Sequence, residues 1–280
     1  MRTILFFFSV CVSFVLQAQH LIYQPIDSVK VELLLHKAIQ DPPVNRSLFF
    51  GEQFLGTPYV AQTLEIDGDK NLIVNTRQLD CTTFVENVLA LVMTAAREEV
   101  YFSDFCKSLT QLRYRDGVRQ GYVSRLHYFS DWIANNQKKG LVKDLSAELS
   151  PDRRLLTLNF MSTHASNYPF LKGDSLQLAA LKEIEQHWVD YSMPYLSLTT
   201  LRKPEVQKQI KDGDIIALVC TIKGLDLSHV GLAKWVDGKL HLLNASMLHE
   251  KVVVDSITLC DYVAKRSSII GVRVIRILSN

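Results

Sequence analysis

Hydrophobic residues recur at intervals of three and four in the first part of the chain, which is the spacing of one face of an α-helix. The pattern predicts an amphipathic helix over 28–39, ended by Pro42-Pro43, and a longer helix over 82–97. Asp80 stands where its side chain can cap the longer helix. Similar but shorter patterns predict helices over 105–112, 128–136 and 177–187.

After residue 213 the pattern changes to short runs rich in valine, isoleucine and leucine, separated by turn residues. These runs predict strands over 215–220, 228–236, 239–246, 251–255 and 271–278. Helices followed by such strands predict an α+β fold, in which the helix after Asp80 packs on a C-terminal antiparallel sheet. No repeat or long Pro/Gly/Ser linker divides the chain. We therefore expect a single domain over 19–280 with an elaborated middle region at about 98–205.

The N-terminus has the layout of a cleavable secretory signal. A basic start at Arg2 precedes an apolar stretch over 4–16, and Ala18 is the expected last residue of the signal. Residues 1–18 are therefore predicted to be removed on export across the inner membrane, which places the mature protein in the periplasm. The apolar stretch is shorter than the roughly 20 residues that span a bilayer, so stable membrane insertion is not expected.

The charge balance argues against one class of partner. The chain has 31 Lys and Arg and 29 Asp and Glu, a formal charge of +2 that becomes +1 when the signal takes Arg2 with it. A nearly neutral chain gives no electrostatic reason to bind nucleic acid. Removing 18 of the 280 residues leaves 262, enough to bury a large core without disulfides. The composition does not indicate the oligomeric state.

The cysteines of the expected mature chain are far apart in sequence. They are Cys81, Cys106, Cys220 and Cys260, and none forms a Cys-x-x-Cys pair. We therefore expect neither a zinc site nor a disulfide framework, and no metal or cofactor. Cys106, Cys220 and Cys260 are expected to be small buried hydrophobic residues.

Cys81 differs from the others because it follows the capping residue Asp80 at the start of the predicted helix. Unpaired backbone N–H groups and the helix dipole in this first turn favour the thiolate and lower a thiol pKa. A cysteine in this place can be a nucleophile or can simply pack, and its position alone leaves both interpretations open.

Asp237-Gly238 lies between two alternating apolar runs, a strong signal for a hairpin with a two-residue type I′ turn. With Val236 opposite Lys239, this register brings His229 opposite Ser246 and Gly231 opposite Asn244. Opposed residues share a face of the sheet, so His229 and Asn244 are expected to be diagonal neighbours with space beside them at Gly231.

A histidine oriented by a polar side chain is the general base that a cysteine nucleophile needs. We therefore predict a Cys81, His229 and Asn244 site, with Ser246 as the alternative partner of the imidazole. His229 could instead be a hydrogen-bonded core histidine, and Asn244 could merely end a strand. The combination with the helix-start cysteine favours catalysis.

At these residues the chain resembles the NlpC-type cell-wall cysteine hydrolases, a papain-like superfamily. The matching stretches, in the order typical of that superfamily, are 56–60 (GTPYV), 79–84 (LDCTTF), 212–215 (DGDI), 228–232 (SHVGL) and 243–246 (LNAS). The resemblance implies that Cys81 is the nucleophile, His229 the base and Asn244 the third polar residue, and that Tyr59 lies beside the nucleophile.

The middle region resembles a narrower branch, the N-acetylmuramoyl-L-alanine amidase-like family, at 113–117 (RYRDG) and 124–128 (SRLHY). That branch implies hydrolysis of the amide between (anhydro-)N-acetylmuramic acid and L-alanine, with muropeptides or peptidoglycan fragments as the partners. Thr82-Thr83 replaces the usual Ser-Gly after the cysteine, which argues against the usual γ-D-glutamyl-diaminopimelate specificity.

Five residues are candidates for contact with the substrate: Tyr59, Asp80, Arg125, His127 and Tyr128. Arg125 offers a bidentate donor to carboxylates, although it could equally form a structural ion pair. Asp80 could contact substrate as well as cap the helix. Two alternatives stay open, which are a γ-D-glutamyl-diaminopimelate endopeptidase and a non-catalytic cell-wall binding protein.

Overall fold

The structure, a computed structural model, describes residues 21–278, so the predicted signal peptide over 1–18 lies outside the described residues. The helices are α1 Pro25–Gln40, α2 Arg46–Glu52, α3 Cys81–Ala96, α4 Phe102–Arg113, α5 Phe129–Lys138, α6 Ser146–Leu149, α7 Phe160–Thr163, α8 Ser175–Gln186, α9 Leu198–Leu201, α10 Pro204–Gln207 and α11 Leu259–Ala264. The strands are β1 Leu21–Ile22, β2 Leu72–Ile73, β3 Val142–Asp144, β4 Arg153–Leu156, β5 Tyr191–Pro194, β6 Leu196–Ser197, β7 Ile215–Cys220, β8 Leu227–Val236, β9 Lys239–Ser246, β10 Lys251–Val254 and β11 Ile269–Ile277.

An antiparallel sheet of seven strands forms the centre of the fold. Its order is β10-β9-β8-β7-β11-β3, and β6 also pairs with β11. The five strands predicted from the sequence are all in this sheet, and the α+β prediction is confirmed. The prediction that the sheet is C-terminal is incomplete, because β3 and β6 come from the middle region and extend it at β11.

The hairpin of β8 and β9 has the predicted turn and register. Asp237 and Gly238 have φ angles of +48° and +74°, as a type I′ turn requires. Val236 pairs with Lys239, and the ladder continues in the same register to Leu232 opposite Leu243. A two-residue turn thus fixes which side chains of β8 and β9 share a face.

Both faces of the sheet are covered. On β7, Ile215, Ala217 and Val219 contribute to one hydrophobic cluster, together with α1, α3, α4 and α5. The intervening Ile216 and Leu218 contribute to a second cluster with residues of α9 and α11. Burial on both faces explains why β7 is a continuous apolar run.

Helix α3 is the central helix and runs within one residue of the predicted bounds. Every residue of α3 from Thr83 to Ala95 is buried, because the helix packs on β8 and β9 and also against α1, α2 and α4. Its buried Glu86 accepts a hydrogen bond of 2.7 Å from Arg113 Nε, which pairs this charge inside the protein.

All four described cysteines are free. Cys106 and Cys220 are buried as predicted, whereas the prediction for Cys260 is wrong, because its α11 position leaves the side chain partly exposed. Over 21–278, no helix is long and apolar enough to cross a membrane, and no cluster of three potential metal ligands occurs. The single-domain organisation stays a prediction.

Candidate active site

Cys81 is the first residue of α3, and Asp80 caps this helix as predicted. The Thr83 N–H donates to Asp80 Oδ1 at 2.7 Å, and the Asp80 N–H donates to Thr83 Oγ1 at 2.9 Å. This reciprocal capping box fixes the start of the helix. Part of the Cys81 residue is exposed in the first turn, whereas its sulfur is buried among the surrounding elements.

His229 lies on β8 beside an irregularity in the sheet. Leu218 of β7 pairs with His229, but the next residue, Val219, pairs with Leu227, so Ser228 is an extra residue on β8. Such a bulge bends a strand and redirects the neighbouring side chains. The backbone of the next residue, Val230, hydrogen-bonds to the Cys81 thiol. The bulged end of β8 and the start of α3 therefore meet at one place.

Asn244 of β9 is the hydrogen-bond partner of the imidazole. His229 Nε2 lies 2.8 Å from Asn244 Oδ1. An amide oxygen only accepts, so Nε2 carries the proton and donates it. Of the two residues left open by the sequence, the structure places Asn244 against the ring.

Gly231 permits the close approach of β8 and β9 at this point. A Cβ atom on Gly231 would lie 2.8 Å from both the Asn244 Cβ and the Leu243 carbonyl oxygen. Both distances are too short for real contacts. The space that the sequence predicted beside His229 and Asn244 is thus taken up by the β9 backbone and Asn244 itself.

The protonation of the site differs from the prediction. Burial, followed by the negative charge of Asp80, raises the pKa of the Cys81 thiol to about 12, against hydrogen bonds from Val230 and Thr82 that lower it. The expectation of a lowered pKa is therefore wrong, because burial of the sulfur outweighs its helix-start position. Burial also lowers the pKa of His229, although the Asn244 hydrogen bond and the Asp255 charge oppose this. Near pH 7 both groups are neutral.

Two tyrosines adjoin the site. Tyr59 is held by its N–H, which donates to the Glu250 carbonyl oxygen at 2.9 Å. Burial and then the charges of Cys81 and Asp80 raise its pKa to about 12, which reflects the predicted position beside the cysteine. Tyr262 of α11 lies nearly parallel to the His229 ring, with centroids 6.5 Å apart and an interplanar angle of 12°.

A pocket of about 210 Å³ opens beside Asp80, and its wall contains four of the five predicted substrate-contact residues. Its lining residues are Gln62, Leu64, Glu65, Asp80, Arg125, His127, Tyr128, Met161, Tyr168 and Leu225. The fold therefore brings a residue next to Cys81 together with side chains of the middle region. This is the arrangement expected of a substrate pocket adjoining a nucleophile.

Internal contacts occupy much of the polar surface in this pocket. Arg125 Nε donates to Asp69 Oδ2 at 2.9 Å, and Arg125 Nη2 pairs with Glu65 Oε1. The Tyr128 hydroxyl donates to Glu185 Oε1 at 2.7 Å and accepts the Met161 N–H at 2.8 Å. Arg125 therefore forms the structural ion pair considered in the sequence analysis. Part of its side chain is also exposed to the pocket.

His127 is held in one orientation. Its Nε2 lies 2.8 Å from the Tyr122 carbonyl oxygen, so this nitrogen carries a proton and donates. The ring also contacts the Tyr122 ring, with centroids 4.4 Å apart. Burial and the charge of Arg125 hold the pKa of His127 well below its ordinary value, so the ring is neutral.

Sequence reasoning missed Glu65, Asp255 and Tyr262. Glu65 comes from an irregular segment, and nothing local indicates its contact with Arg125, 60 residues later. Tyr262 belongs to a short helix that was not predicted. Asp255 could have been identified from the sequence, because it is the last residue of the strand predicted to follow the one that carries Asn244.

The comparisons define the class of protein. The model of the N-acetylmuramoyl-L-alanine amidase-like family matches residues 49–271, and the chain belongs to this family. The family is one of peptidoglycan hydrolases, and the match includes Cys81, His229 and Asn244.

Solved structures that are similar to this chain include an N-acetylmuramoyl-L-alanine amidase from Bacteroides uniformis. It is 39% identical with a TM-score of 0.78, and the match covers 83% of this chain and 97% of that one. A Bacteroides fragilis protein, provisionally named a xylanase, is 42% identical with a TM-score of 0.77, over 81% of this chain and 99% of that one. A Legionella pneumophila protein at 24% identity and a TM-score of 0.68, over 90% and 94%, shows the shared fold alone. No curated protein matches the chain.

Proposed function

We propose that the protein is a cysteine-type N-acetylmuramoyl-L-alanine amidase that acts on muropeptides in the periplasm. Cys81 is the nucleophile, His229 the general base and Asn244 the residue that orients His229. The observation that carries the proposal is the His229–Asn244 hydrogen bond of 2.8 Å next to the capped start of α3. The family and the named activity of the B. uniformis relative supply the bond to be cleaved.

The resting site holds a neutral thiol and a neutral imidazole. Because His229 Nε2 donates to Asn244, the other ring nitrogen, Nδ1, carries the lone pair that can accept a proton. His229 Nδ1 removes the Cys81 proton as sulfur attacks the carbonyl carbon of the scissile amide. Proton transfer during attack is needed because burial disfavours a free thiolate.

The remaining steps follow from the same groups. The attack produces a tetrahedral oxyanion, and the backbone N–H of Cys81 at the start of α3 helps to stabilise it. His229 then returns the proton to the amine of L-alanine, and the C–N bond breaks to leave a thioester on Cys81. Water hydrolyses the thioester with His229 again as base, releasing the muramic acid carboxylate and restoring the thiol.

The pocket beside Asp80 is the proposed site for the sugar or the first stem residues. Its wall combines carboxylates, the Arg125 guanidinium and the His127 and Tyr168 rings, which suit the hydroxyls and carboxylates of a muropeptide. Asp80 is part of the pocket wall and directly precedes Cys81, and Tyr59 is close enough to both residues for their charges to affect its pKa. Tyr59 and Asp80 are therefore the proposed contacts closest to the scissile bond.

Mass spectrometry of the products from a purified anhydro-disaccharide-tripeptide tests the proposal. We expect intact disaccharide and free tripeptide. Release of disaccharide-dipeptide would instead show an endopeptidase that cuts after γ-D-glutamate. Cys81→Ala should fold and give no product, whereas Cys260→Ala, which removes another partly exposed thiol, should retain activity.

A further inference from the structure

Asp255 lies directly after β10, next to the strand that carries Asn244. Its side chain is buried, with 4% of the residue exposed. Its N–H donates to the Leu242 carbonyl oxygen at 2.9 Å, so the backbone holds it two residues from Asn244 on the neighbouring strand. A buried carboxylate at this position requires a partner.

The Asn244 amide is that partner. Asn244 Nδ2 donates to Asp255 Oδ2 at 2.7 Å and to the Leu242 carbonyl oxygen at 3.3 Å. Both acceptors can only accept, since neither an ionised carboxylate nor a carbonyl has a proton to give. The other Asp255 oxygen lies 3.4 Å from His249 Nε2.

These contacts allow one orientation of the Asn244 side chain. A rotation that exchanged its oxygen and nitrogen would bring Oδ1 against two acceptors and lose both hydrogen bonds inside the protein. In the observed orientation Oδ1 faces His229 and accepts from Nε2 at 2.8 Å. The proton on Nε2 leaves the lone pair on Nδ1.

We propose that Asp255 is a positioning residue, which orients the Asn244 amide and thereby selects the His229 tautomer that can accept the Cys81 proton. The proposal rests on the proposed function for its catalytic consequence. Its structural content, that Asp255 sets the tautomer of His229, is independent of the substrate.

The test is Asp255→Asn, which keeps the size of the side chain. The new amide can donate to Asn244 Oδ1, so Asn244 can turn its Nδ2 toward His229 and favour the tautomer protonated on Nδ1. We expect ¹⁵N NMR of the imidazole to show Nε2–H in the wild type and a shift of the proton to Nδ1 in the variant. We also expect kcat to fall by about tenfold to a hundredfold with KM little changed, the size typical of losing an outer partner of a functional histidine.

Asp144→Asn is the matched control. Asp144 is also a largely buried aspartate, and it accepts from Ser146 and pairs with Arg273 Nη2 at 2.7 Å on β3, away from His229. The change should lower stability but leave the His229 tautomer unchanged. A comparable effect on the tautomer would show a general consequence of destabilisation and overturn the proposal.

The outcomes separate the two proposals. An Nδ1–H tautomer in the wild type, or Nε2–H retained in Asp255→Asn, overturns the role of Asp255 whatever the activity. The wild-type measurement applies even if the variant does not fold. If the tautomer shifts as expected but the wild type cleaves no muropeptide, the role of Asp255 stands and the proposed function fails.

Discussion

The two sides of the candidate active site use their polar groups differently. The first side, called the catalytic side after the role proposed for it, consists of Cys81, His229 and Asn244. His229 donates to Asn244 and Asn244 donates to Asp255, which leaves the imidazole lone pair on Nδ1. The pocket side is built around Arg125 and Tyr128, whose charged and hydroxyl groups are paired with Asp69, Glu65 and Glu185 inside the protein.

The polar contacts of the two sides therefore have different effects: on the catalytic side they determine the position of a proton, and on the pocket side they determine the shape of the wall. On the catalytic side a small change in orientation alters which atom holds a proton. On the pocket side, ion pairs hold the wall in place, so the surface proposed to bind the substrate is preformed. Changes to the catalytic side should therefore reduce kcat with the fold intact, and changes to the pocket side should first reduce stability.

The largest effect is expected for His229→Gln. Without the imidazole, nothing removes the proton from a thiol whose pKa is raised to about 12 by burial and by Asp80. We expect kcat/KM on the anhydro-muropeptide to fall by roughly 10⁴-fold or more, the scale seen when a catalytic base is removed. Circular dichroism should show an unchanged fold.

His36→Gln provides the control for this change, since His36 is exposed on α1. Its activity should equal that of the wild type. A His229→Gln variant with more than a tenth of wild-type activity would exclude His229 as the base.

A smaller loss of activity is expected for Gly231→Ala. The added Cβ would lie 2.8 Å from the Asn244 Cβ and from the Leu243 carbonyl oxygen, so β9 and Asn244 must move away from His229. We expect kcat to fall by about tenfold to a hundredfold, because misplacement of a catalytic group by about 1 Å has an effect of this order. Steady-state kinetics at saturating muropeptide measures it.

Gly238→Ala tests whether that loss is specific. Gly238 has a φ of +74° and open space around it, so alanine there strains the turn without meeting another atom. Stability should fall by about 1 kcal/mol while kcat is retained. Equal losses of kcat in the two glycine variants would contradict the role assigned to Gly231.

On the pocket side, Arg125→Met should mainly reduce stability. Asp69 is 1% exposed, and removal of its Arg125 partner leaves a buried carboxylate without that ion pair. We expect a loss of about 3 to 5 kcal/mol in the free energy of unfolding, measured with denaturant. Adding Asp69→Asn should recover part of the loss, because the buried charge is then removed.

Lys138→Met is the control, because the Lys138–Asp116 pair of 3.2 Å is on the surface. Solvent screens such a pair, so stability should change little. If Arg125→Met reduced the free energy of unfolding as little as Lys138→Met does, the Arg125 ion pairs would not be what holds the pocket wall in place.

The geometry of the catalytic side could be predicted from the sequence because local signals determine it. Asp80 and Thr83 cap α3 within four residues, and Asp237-Gly238 fixes the register that brings Asn244 beside His229. Capping and turn chemistry depend on neighbouring residues, so a single sequence contains the information.

The pocket side depends on contacts that are distant in sequence. Arg125 meets Asp69 across 56 residues, and Tyr128 meets Glu185 across 57. Neither pairing leaves a periodic or local signal. The raised pKa of Cys81 could not be predicted from the sequence either, because its main cause is burial by elements that meet only in the folded chain.

The smallest effect concerns pH and His127. Burial holds the pKa of His127 well below 6.5, so as pH falls through about 6.5 the unfolded chain takes up a proton on this residue before the folded chain does. The free energy of unfolding therefore decreases as pH falls, by at most about 1.4 kcal/mol per pH unit for one histidine. His127→Gln should show a correspondingly flatter dependence of stability on pH.

Buried carboxyls with a raised pKa, such as Asp69 and Glu86, act in the opposite direction but are present in both proteins, so they largely cancel in the comparison. Parallel curves for the two proteins would mean that His127 can be protonated in place, and that the pocket side is more open to solvent than the catalytic side.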